Sequence, residues 1–404
     1  MGINTDAIHA GFEDEQFRSL VAPIYQTSTY DQEYPGVTKG YCYTRTGNPT
    51  RSSLQSALAK LEEGTDAFSF ATGIAAENAI FQVFLKPGDK VVVPYDLYGG
   101  THRLLFILYP QWGIHAVRAD YRDPKAVAEA AKGARIVWAE SPTNPRLDVY
   151  DLPAIVKAVK AVSKALVVVD NTFATPLGQK PLTFGADLVL QSVTKYLSGH
   201  SDVVQGAVIT KNKELAERLT FIQNGTGGGA APFDCWLALR GLRTFPIRYK
   251  QHCENAQAVA EYLETADGVS KVYYPGLKSH ETHATAKKVL KYFGGVVAIE
   301  LEGGVEFAKN FVSKLKVFKL AESLGGVKSL ACHPATMTHA AVSAEERAKI
   351  GLSDGLIRLA VGIEDVEDLI ADIKQALAAA RSAAAPKNAK AGGKSKKQLV
   401  GAKA

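Results

Sequence analysis

Short apolar runs alternate with amphipathic segments through the middle of the chain, between about residues 51 and 246. Leucines recur on one face of a predicted first helix at 51–63. The strands predicted after it lie at 67–71, 90–94, 135–139, 166–170 and 187–191, and further helices are predicted at 73–85, 99–109 and 153–163. Continuous Val, Ile and Leu runs separated by helices are typical of βαβ units around a buried, mostly parallel sheet. The pattern predicts an α/β fold with its large domain at 51–246.

The pattern differs on both sides of this region. Residues 1–50 are rich in Tyr, Thr, Gly and Pro and have no sustained period, so we expect an arm that lies over another surface. A long helix at 247–263, a strand at 296–301 and a helix at 307–315 predict a smaller α+β domain at 247–380. The segment 381–404 is rich in Ala, Gly and Lys, and we predict a disordered basic tail.

The tail carries most of the net charge. The formal charge is +6, and seven basic residues but no acidic residue lie from Arg381 onward. The remaining chain is therefore close to neutral and does not predict a nucleic-acid surface on the folded part. A nucleic-acid-binding module that acts through the tail remains as a non-enzymatic alternative.

The cysteines and the N-terminus indicate the cellular compartment in which the protein is expected. The four cysteines are scattered without a disulfide or C-x-x-C spacing, which fits a reducing compartment. The first residues lack the basic and apolar regions of a signal peptide, and no apolar run has the length of a membrane span. We expect a cytoplasmic enzyme. The pair His280 and His283 lacks further ligands, so no metal site is predicted.

Candidate chemistry begins at the ends of two predicted strands. Asp170 ends an apolar strand, where a carboxylate is poorly solvated and needs a partner. It suits a helix cap or an ion pair, and equally a partner for a protonated pyridine nitrogen. Lys195 follows the next strand, where burial can lower its pKa and make the amine nucleophilic, although many lysines after strands are simply exposed.

Several groups suited to a phosphate accompany these two residues. Ser192 and Thr194 point to one side of their strand by alternation and offer two hydroxyls. The turn at Gly73 and Ile74 leads from a strand into a helix, whose N-terminus favours an anion. In the arm, Arg45 near Tyr43 suits phosphate contact, although the following Gly-Asn-Pro marks a turn in any case.

Seven motifs in order resemble the Cys/Met-metabolism family of fold-type I enzymes that depend on pyridoxal phosphate (PLP). The motifs are Tyr43-x-Arg45-x-x-Asn48-Pro49-Thr50, Ala71-Thr72-Gly73-Ile74, Tyr98-Gly99-Gly100-Thr101, Glu140-Ser141-Pro142-Thr143-Asn144-Pro145, Val169-Asp170-Asn171-Thr172, Ser192-Val193-Thr194-Lys195-Tyr196-Leu197-Ser198-Gly199-His200 and Arg358-Leu359-Ala360-Val361-Gly362. The resemblance extends to about residue 380. It implies a seven-stranded, mostly parallel sheet and PLP as the cofactor.

The resemblance also implies roles for individual residues. Lys195 would bind PLP as a Schiff base and shuttle protons, Asp170 would pair with the pyridine nitrogen, and Tyr98 would stack on the ring and act as an acid. Gly73, Ile74, Ser192 and Thr194 would hold the phosphate, with Asn144 near the 3-hydroxyl and the substrate. Arg358 and Ser323 would bind the substrate α-carboxylate. Tyr43 and Arg45 would reach the phosphate of a neighbouring subunit, which implies a homotetramer of active dimers.

Two charged residues suggest a branch of the family. Arg103 and Glu322 resemble positions in the cystathionine γ-lyases and γ-synthases, where they would meet the distal end of an amino-acid substrate. Methionine γ-lyases tend to have Cys in place of Gly100 and an apolar residue in place of Glu322. Cys42 departs from the acidic residue that is usual before Tyr43. We expect γ-elimination of cystathionine to cysteine, 2-oxobutyrate and ammonia, with γ-replacement on an O-acylhomoserine as the alternative and methionine cleavage as the less favoured one.

Overall fold

Seven strands form the large sheet of the computed structural model, which describes residues 1–14, 16–337, 345, 347 and 353–384. They are β1 (Asp66–Phe70), β2 (Lys90–Pro94), β3 (His115–Ala119), β4 (Ile136–Glu140), β5 (Leu166–Asp170), β6 (Leu188–Gln191) and β7 (Gly206–Thr210). Their order in the sheet is β1-β7-β6-β5-β4-β2-β3, and β7 alone runs antiparallel to its neighbours. This topology brings the carboxyl ends of β4, β5 and β6 to one edge.

Five further strands form a second, smaller sheet. They are β8 (Val269–Tyr273), β9 (Val296–Leu301), β10 (Lys319–Leu320), β11 (Leu330–Cys332) and β12 (Leu356–Ala360), in the order β10-β11-β12-β9-β8. Apolar side chains of three helices pack against this sheet, among them Leu263, Phe311 and Ile373. The predicted fold class, an α/β unit with a mostly parallel sheet followed by a smaller α+β unit, is confirmed.

Helices cover both sheets, and five of them begin at a residue whose side chain caps the helix. The α-helices of the described residues are Ile3–Ile8, Pro49–Leu61, Gly73–Phe84, Gly99–His102, Pro124–Ala131, Leu152–Val162, Thr175–Gly178, Lys213–Thr226, Pro232–Leu242, Phe245–Glu264, His283–Val289, Gly304–Lys314 and Val366–Ala384. Asn48 Oδ1 accepts hydrogen bonds from the amides of Thr50 and Arg51 before the second helix. Thr72 Oγ1 accepts from the amide of Ala75 before the third. Such caps satisfy amides that a helix start leaves unpaired.

Several local expectations are corrected. The helix predicted at 99–109 is α-helical only to His102, continues as the π-helix Arg103–Leu108, and ends in the 3₁₀ turn Tyr109–Trp112. Strands β3 and β7 were not predicted. The arm contains the short helix Ile3–Ile8. The last helix reaches Ala384, and Arg381, which we assigned to the tail, lies in this helix and pairs with Asp267.

Two features of the chain concern its environment. All four cysteines carry free thiols, and three of them are buried. In the described part of the chain, no helix combines the length and the apolar character that a membrane crossing requires. The tail at 385–404, and with it the nucleic-acid alternative, lies outside the described residues.

Candidate active site

A cavity of about 360 Å³ opens at the carboxyl ends of β4, β5 and β6, next to the second sheet. We call it the strand-end cavity. It brings together residues that lie more than two hundred positions apart in the chain. Eleven of the residues predicted from the sequence line it: Gly73, Ile74, Tyr98, Asn144, Asp170, Ser192, Thr194, Lys195, Glu322, Ser323 and Arg358.

Lys195 lies just after β6 with its amine inside the cavity. Its Nζ donates a hydrogen bond to Ser323 Oγ at 2.9 Å. Burial, followed by the positive charge of Arg358, lowers the pKa of Lys195 to about 8, and Glu322 acts in the opposite direction. About a tenth of such an amine is unprotonated at pH 7, a far larger share than in an ordinary lysine. The unprotonated amine is the form that attacks a carbonyl group.

Asp170 ends β5 with its carboxyl group directed into the same cavity. One carboxylate oxygen accepts a hydrogen bond from the amide of Thr172 at 2.9 Å. Burial raises the pKa of Asp170, because no ion pair with a described residue compensates its negative charge. A buried carboxylate in this state gains most from a cationic partner.

Two further carboxyl groups line the cavity, and the sequence analysis assigned no role to either. Glu77 and Glu140 are 1% and 3% exposed. Burial and the charge of Asp170 raise the pKa of Glu77 to about 8 and that of Glu140 well above its usual range. Glu140 accepts a hydrogen bond from the amide of Tyr98 at 2.8 Å. One available signal was the position of Glu77, the one charged residue of the helix Gly73–Phe84, one turn after Gly73.

The opposite part of the cavity has the features of a phosphate site. Gly73 begins a helix, and a Cβ atom at this position would lie 3.2 Å from Ser192 Oγ, so only glycine leaves this space open. The amide of Ser192 donates to Thr172 Oγ1 at 2.9 Å. Thr194 exchanges hydrogen bonds with the backbone of Gln205 through its hydroxyl group. Amides at a helix start together with nearby hydroxyls are suited to binding a phosphate.

Arg358 provides the cation on the side of the second sheet. Its Nη1 donates to Asn144 Oδ1 at 2.9 Å, and its Nη2 donates to the carbonyl oxygen of Ser323 at 3.0 Å. Ser323 adopts a φ of 98°, a left-handed conformation that non-glycine residues rarely take and that often marks a functional segment. Asn144 and Ser323 thus hold a buried guanidinium group beside Lys195, where it suits a carboxylate.

Tyr98 lines the cavity with its side chain 37% exposed. Burial, followed by the negative charge of Glu77, raises the pKa of Tyr98, and Arg103 opposes this shift. The phenol therefore stays protonated at neutral pH. A group in that state can donate a proton, which fits the role of an acid.

Three predicted residues do not line the strand-end cavity. Arg103 is exposed at the start of the π-helix, although its charge acts on Tyr98. Tyr43 and Arg45 lie in a different pocket, which we call the arm pocket, with residues such as Gly227 and Gly229. Arg45 Nε donates to Asn224 Oδ1 at 3.2 Å.

The described residues of the strand-end cavity fit PLP. The carboxylate of Asp170, which has no ion pair with a described residue, suits a protonated pyridine nitrogen, the Gly73 turn suits a phosphate, and the desolvated amine of Lys195 suits the aldehyde. Fold and site together define a fold-type I, PLP-dependent enzyme.

Comparison with known proteins also indicates a PLP-dependent enzyme and identifies its family. A family model described as Cys/Met metabolism PLP-dependent enzyme matches residues 4–378. The chain belongs to this family.

Individual relatives are similar over nearly their whole length. Cystathionine beta-lyase of Coxiella burnetii (strain RSA 493 / Nine Mile phase I) is 47% identical over 379 residues, covering 93% of this chain and 97% of the relative. Cystathionine gamma-synthase of Mycobacterium tuberculosis (strain ATCC 25618 / H37Rv) is 45% identical, with the same coverage. A crystal structure of cystathionine gamma-lyase from Lactobacillus plantarum, complexed with L-serine, has a TM-score of 0.91 and 40% identity, covering 94% of this chain and 100% of that one.

These relatives share trans-sulfuration chemistry but carry three different activities. The chain is therefore a PLP-dependent enzyme of cysteine and methionine metabolism. A β-lyase did not figure among the alternatives drawn from the motifs, and it joins them here.

Proposed function

We propose that this enzyme catalyses γ-elimination of cystathionine, with one water consumed and cysteine, 2-oxobutyrate and ammonia released. The observation that carries the proposal is the contact chain Lys195–Ser323–Arg358, in which the amine donates to Ser323 and Arg358 donates to the carbonyl of the same residue. This contact chain supports the proposal, because an amine that could act as a base lies beside a cation that could bind a carboxylate, as an amino acid substrate with a removable Cα proton requires.

Lys195 is the proposed base for two proton transfers. With its amine unprotonated, Nζ would remove the Cα proton of the substrate, release that proton again, and only then remove a Cβ proton; the second removal distinguishes γ-elimination from β-elimination. Bound PLP supplies the electron sink that stabilises the negative charge formed at these carbons. The pKa of about 8 supports this role, because the amine can both take up and release a proton near neutral pH.

Tyr98 is the proposed acid for the leaving group. Its phenol is protonated at neutral pH, since burial raises its pKa, and its Oη would give a proton to the sulfur that leaves Cγ. Asp170 would hold the ring nitrogen in its protonated form, while Gly73, Ile74, Ser192 and Thr194 would bind the phosphate.

The residues around Arg358 would orient the substrate. The guanidinium group would bind the α-carboxylate, with Asn144 and Ser323 keeping it in place. Glu322 lines the cavity beside Lys195 and would face the distal amino group, and Arg103 would face the distal carboxylate. The position before Tyr43 usually carries an acidic residue, and Cys42 occupies it in this chain. Glu322 would therefore face the distal amino group without the help of that acidic residue.

We also propose that the active unit is a dimer, within a homotetramer. Tyr43 and Arg45 lie in the arm pocket and do not reach the strand-end cavity of their own chain. The phosphate contacts that the motifs assign to them would therefore be made to a neighbouring subunit. Size-exclusion chromatography with light scattering measures the assembly, and a monomer at full activity would contradict it.

The product profile of the PLP-loaded enzyme tests the proposed reaction. Cystathionine should yield 2-oxobutyrate and cysteine in equal amounts. Pyruvate and homocysteine would instead identify a β-lyase. Rapid formation of cystathionine from an O-acylhomoserine and cysteine, with negligible 2-oxobutyrate from cystathionine, would identify a γ-synthase, and methanethiol from methionine would identify a methionine γ-lyase.

A further inference from the structure

One buried carboxyl group outside the strand-end cavity bridges two of the strands that end there. Glu62 follows the helix Pro49–Leu61 and is 1% exposed. Its Oε1 accepts hydrogen bonds from Asn171 Nδ2 at 2.9 Å and from Gln191 Nε2 at 2.6 Å. Asn171 directly follows Asp170 at the end of β5, and Gln191 directly precedes Ser192 at the end of β6.

The same hydrogen-bond network reaches a third strand. Asn171 Nδ2 also donates to the carbonyl of Gln179 at 3.1 Å, and Gln179 Nε2 donates to the carbonyl of Ser141 at 2.9 Å. Ser141 follows β4 and begins the segment that carries Asn144. The network around Glu62 therefore joins the ends of β4, β5 and β6, each of which carries a proposed contact to the cofactor or substrate.

If Glu62 served only to stabilise the fold, a carboxyl group would be an unfavourable choice at this buried position. Its Oε2 has no hydrogen-bond partner among the described residues. Burial raises the pKa of Glu62 to about 7, against the hydrogen bonds from Asn171 and Gln191 that lower it. A neutral glutamine would avoid this buried charge. A carboxylate, however, is a stronger acceptor than an amide oxygen, and hydrogen bonds to it are shorter and stronger.

We propose that Glu62 is a positioning residue for the cofactor site, whose carboxyl group holds Asp170 and Ser192 at a fixed separation through Asn171 and Gln191. It touches neither cofactor nor substrate. The inference rests on the roles proposed above, in which Asp170 meets the ring and Ser192 the phosphate. A change in the separation of the two strand ends would then weaken both contacts at once.

The test compares Glu62→Leu with Glu62→Gln, and uses Glu63→Gln as the matched control. Glutamine keeps an oxygen that can accept both hydrogen bonds, whereas leucine keeps none. Glu63 is the neighbouring glutamate, half exposed and paired with Lys180 at 2.7 Å. PLP is titrated into each apoprotein, and the dissociation constant and the visible circular dichroism of the bound cofactor are measured. Far-ultraviolet circular dichroism and the melting temperature of each apoprotein report folding separately.

We expect Glu62→Leu to weaken PLP binding by about tenfold and to change the visible dichroism, as losses of groups that orient a ligand's direct contacts do. Glu62→Gln should stay within about threefold of the unmodified chain, and Glu63→Gln should be indistinguishable from it. A folded Glu62→Leu variant with unchanged PLP affinity and unchanged dichroism would overturn the proposal. So would a Glu62→Gln variant as impaired as Glu62→Leu, because glutamine retains both accepted bonds.

Gln191→Met provides a second variant if Glu62→Leu does not fold. It removes the hydrogen bonds that Gln191 Nε2 donates to Glu62 and to the carbonyl of Asn171, and it leaves the bond between Glu62 and the Asn171 side chain in place. It should weaken PLP affinity several-fold, and unchanged affinity would refute the positioning role. The proposed function is tested separately with Lys195→Ala. If the visible absorption band of lysine-bound PLP persisted in that variant, the proposed function would be overturned, but the result for Glu62 would not change.

Discussion

Two pockets of the molecule contain cations that the sequence associates with a phosphate-bearing cofactor. In the strand-end cavity, Lys195 is half-buried and Arg358 is buried, and both are held by Ser323 and Asn144. In the arm pocket, Arg45 lies beside Tyr43, which is 44% exposed. The first pocket contains the groups proposed for the reaction, whereas the second contains only Tyr43 and Arg45 among the residues proposed to contact the cofactor. The contrast suggests that the arm serves a site other than that of its own chain.

Replacing Lys195 tests the strand-end cavity most severely. Lys195→Ala removes both the covalent attachment and the proposed base, so turnover should fall by at least about 10⁴-fold. The visible absorption of the lysine-bound cofactor should disappear, as measured by spectrophotometry of the purified protein. Lys164→Ala, at an exposed lysine before β5, is the control and should change neither quantity. Retention of the band in Lys195→Ala would show that another amine holds the cofactor.

Tyr98→Phe removes the proposed proton donor and keeps the aromatic ring. We expect kcat to fall by about 10²-fold, because a positioned acid contributes roughly that factor, while the visible spectrum stays the same. Steady-state kinetics with cystathionine measure the effect. Equal kcat values for the two proteins would remove Tyr98 from the proton transfer.

Arg45→Ala addresses the arm pocket. We expect PLP affinity to fall by about tenfold through loss of a charge-assisted contact to phosphate. If the arm serves a neighbouring subunit, coexpression of Arg45→Ala with Lys195→Ala creates mixed dimers in which one site has both residues intact. At a PLP concentration near the dissociation constant of the unmodified enzyme, where Arg45→Ala alone stays mostly empty, about a quarter of the activity of the unmodified enzyme should then return under random pairing.

A matched coexpression shows whether this recovery depends on the arm. Lys195→Ala paired with Tyr98→Phe should show no gain, since both residues line the same cavity of one chain. No recovery with Arg45→Ala either would assign the arm pocket to its own chain and remove the contrast between the two pockets.

The smallest expected effect concerns the pH dependence of Lys195. Because its pKa is lowered to about 8, its unprotonated fraction rises about fivefold between pH 7 and pH 8 and levels off above that. The rate at which apoprotein captures PLP should follow this curve in a stopped-flow experiment. An ordinary lysine would instead gain about tenfold per pH unit up to about pH 9, and about sevenfold between pH 9 and pH 10. A rate that still climbs about sevenfold between pH 9 and pH 10 would contradict the lowered pKa.

The sequence by itself determined those parts of the molecule that depend on short stretches of chain. The predicted limits of β2, β5 and β9 coincide with the observed ones, because short continuous runs of apolar residues are typical of buried strands. The positions of Asp170 and Lys195 after strands followed directly. The helix predicted at 51–63 exists but begins two residues earlier, at Pro49, because Asn48 caps it and Pro49 occupies its first position.

Only the tertiary structure decided which polar groups lose contact with water and which distant groups meet. Ser323 lies 128 positions from Lys195 and Glu62 lies 129 from Gln191, yet each pair forms a hydrogen bond. The burial of Glu62, Glu77 and Glu140 arises from packing of several elements, and the position of Glu77 in its helix is the one local signal identified above. Their pKa values rise because that packing removes solvent from around a charge, and this effect depends on the whole fold around each carboxyl group.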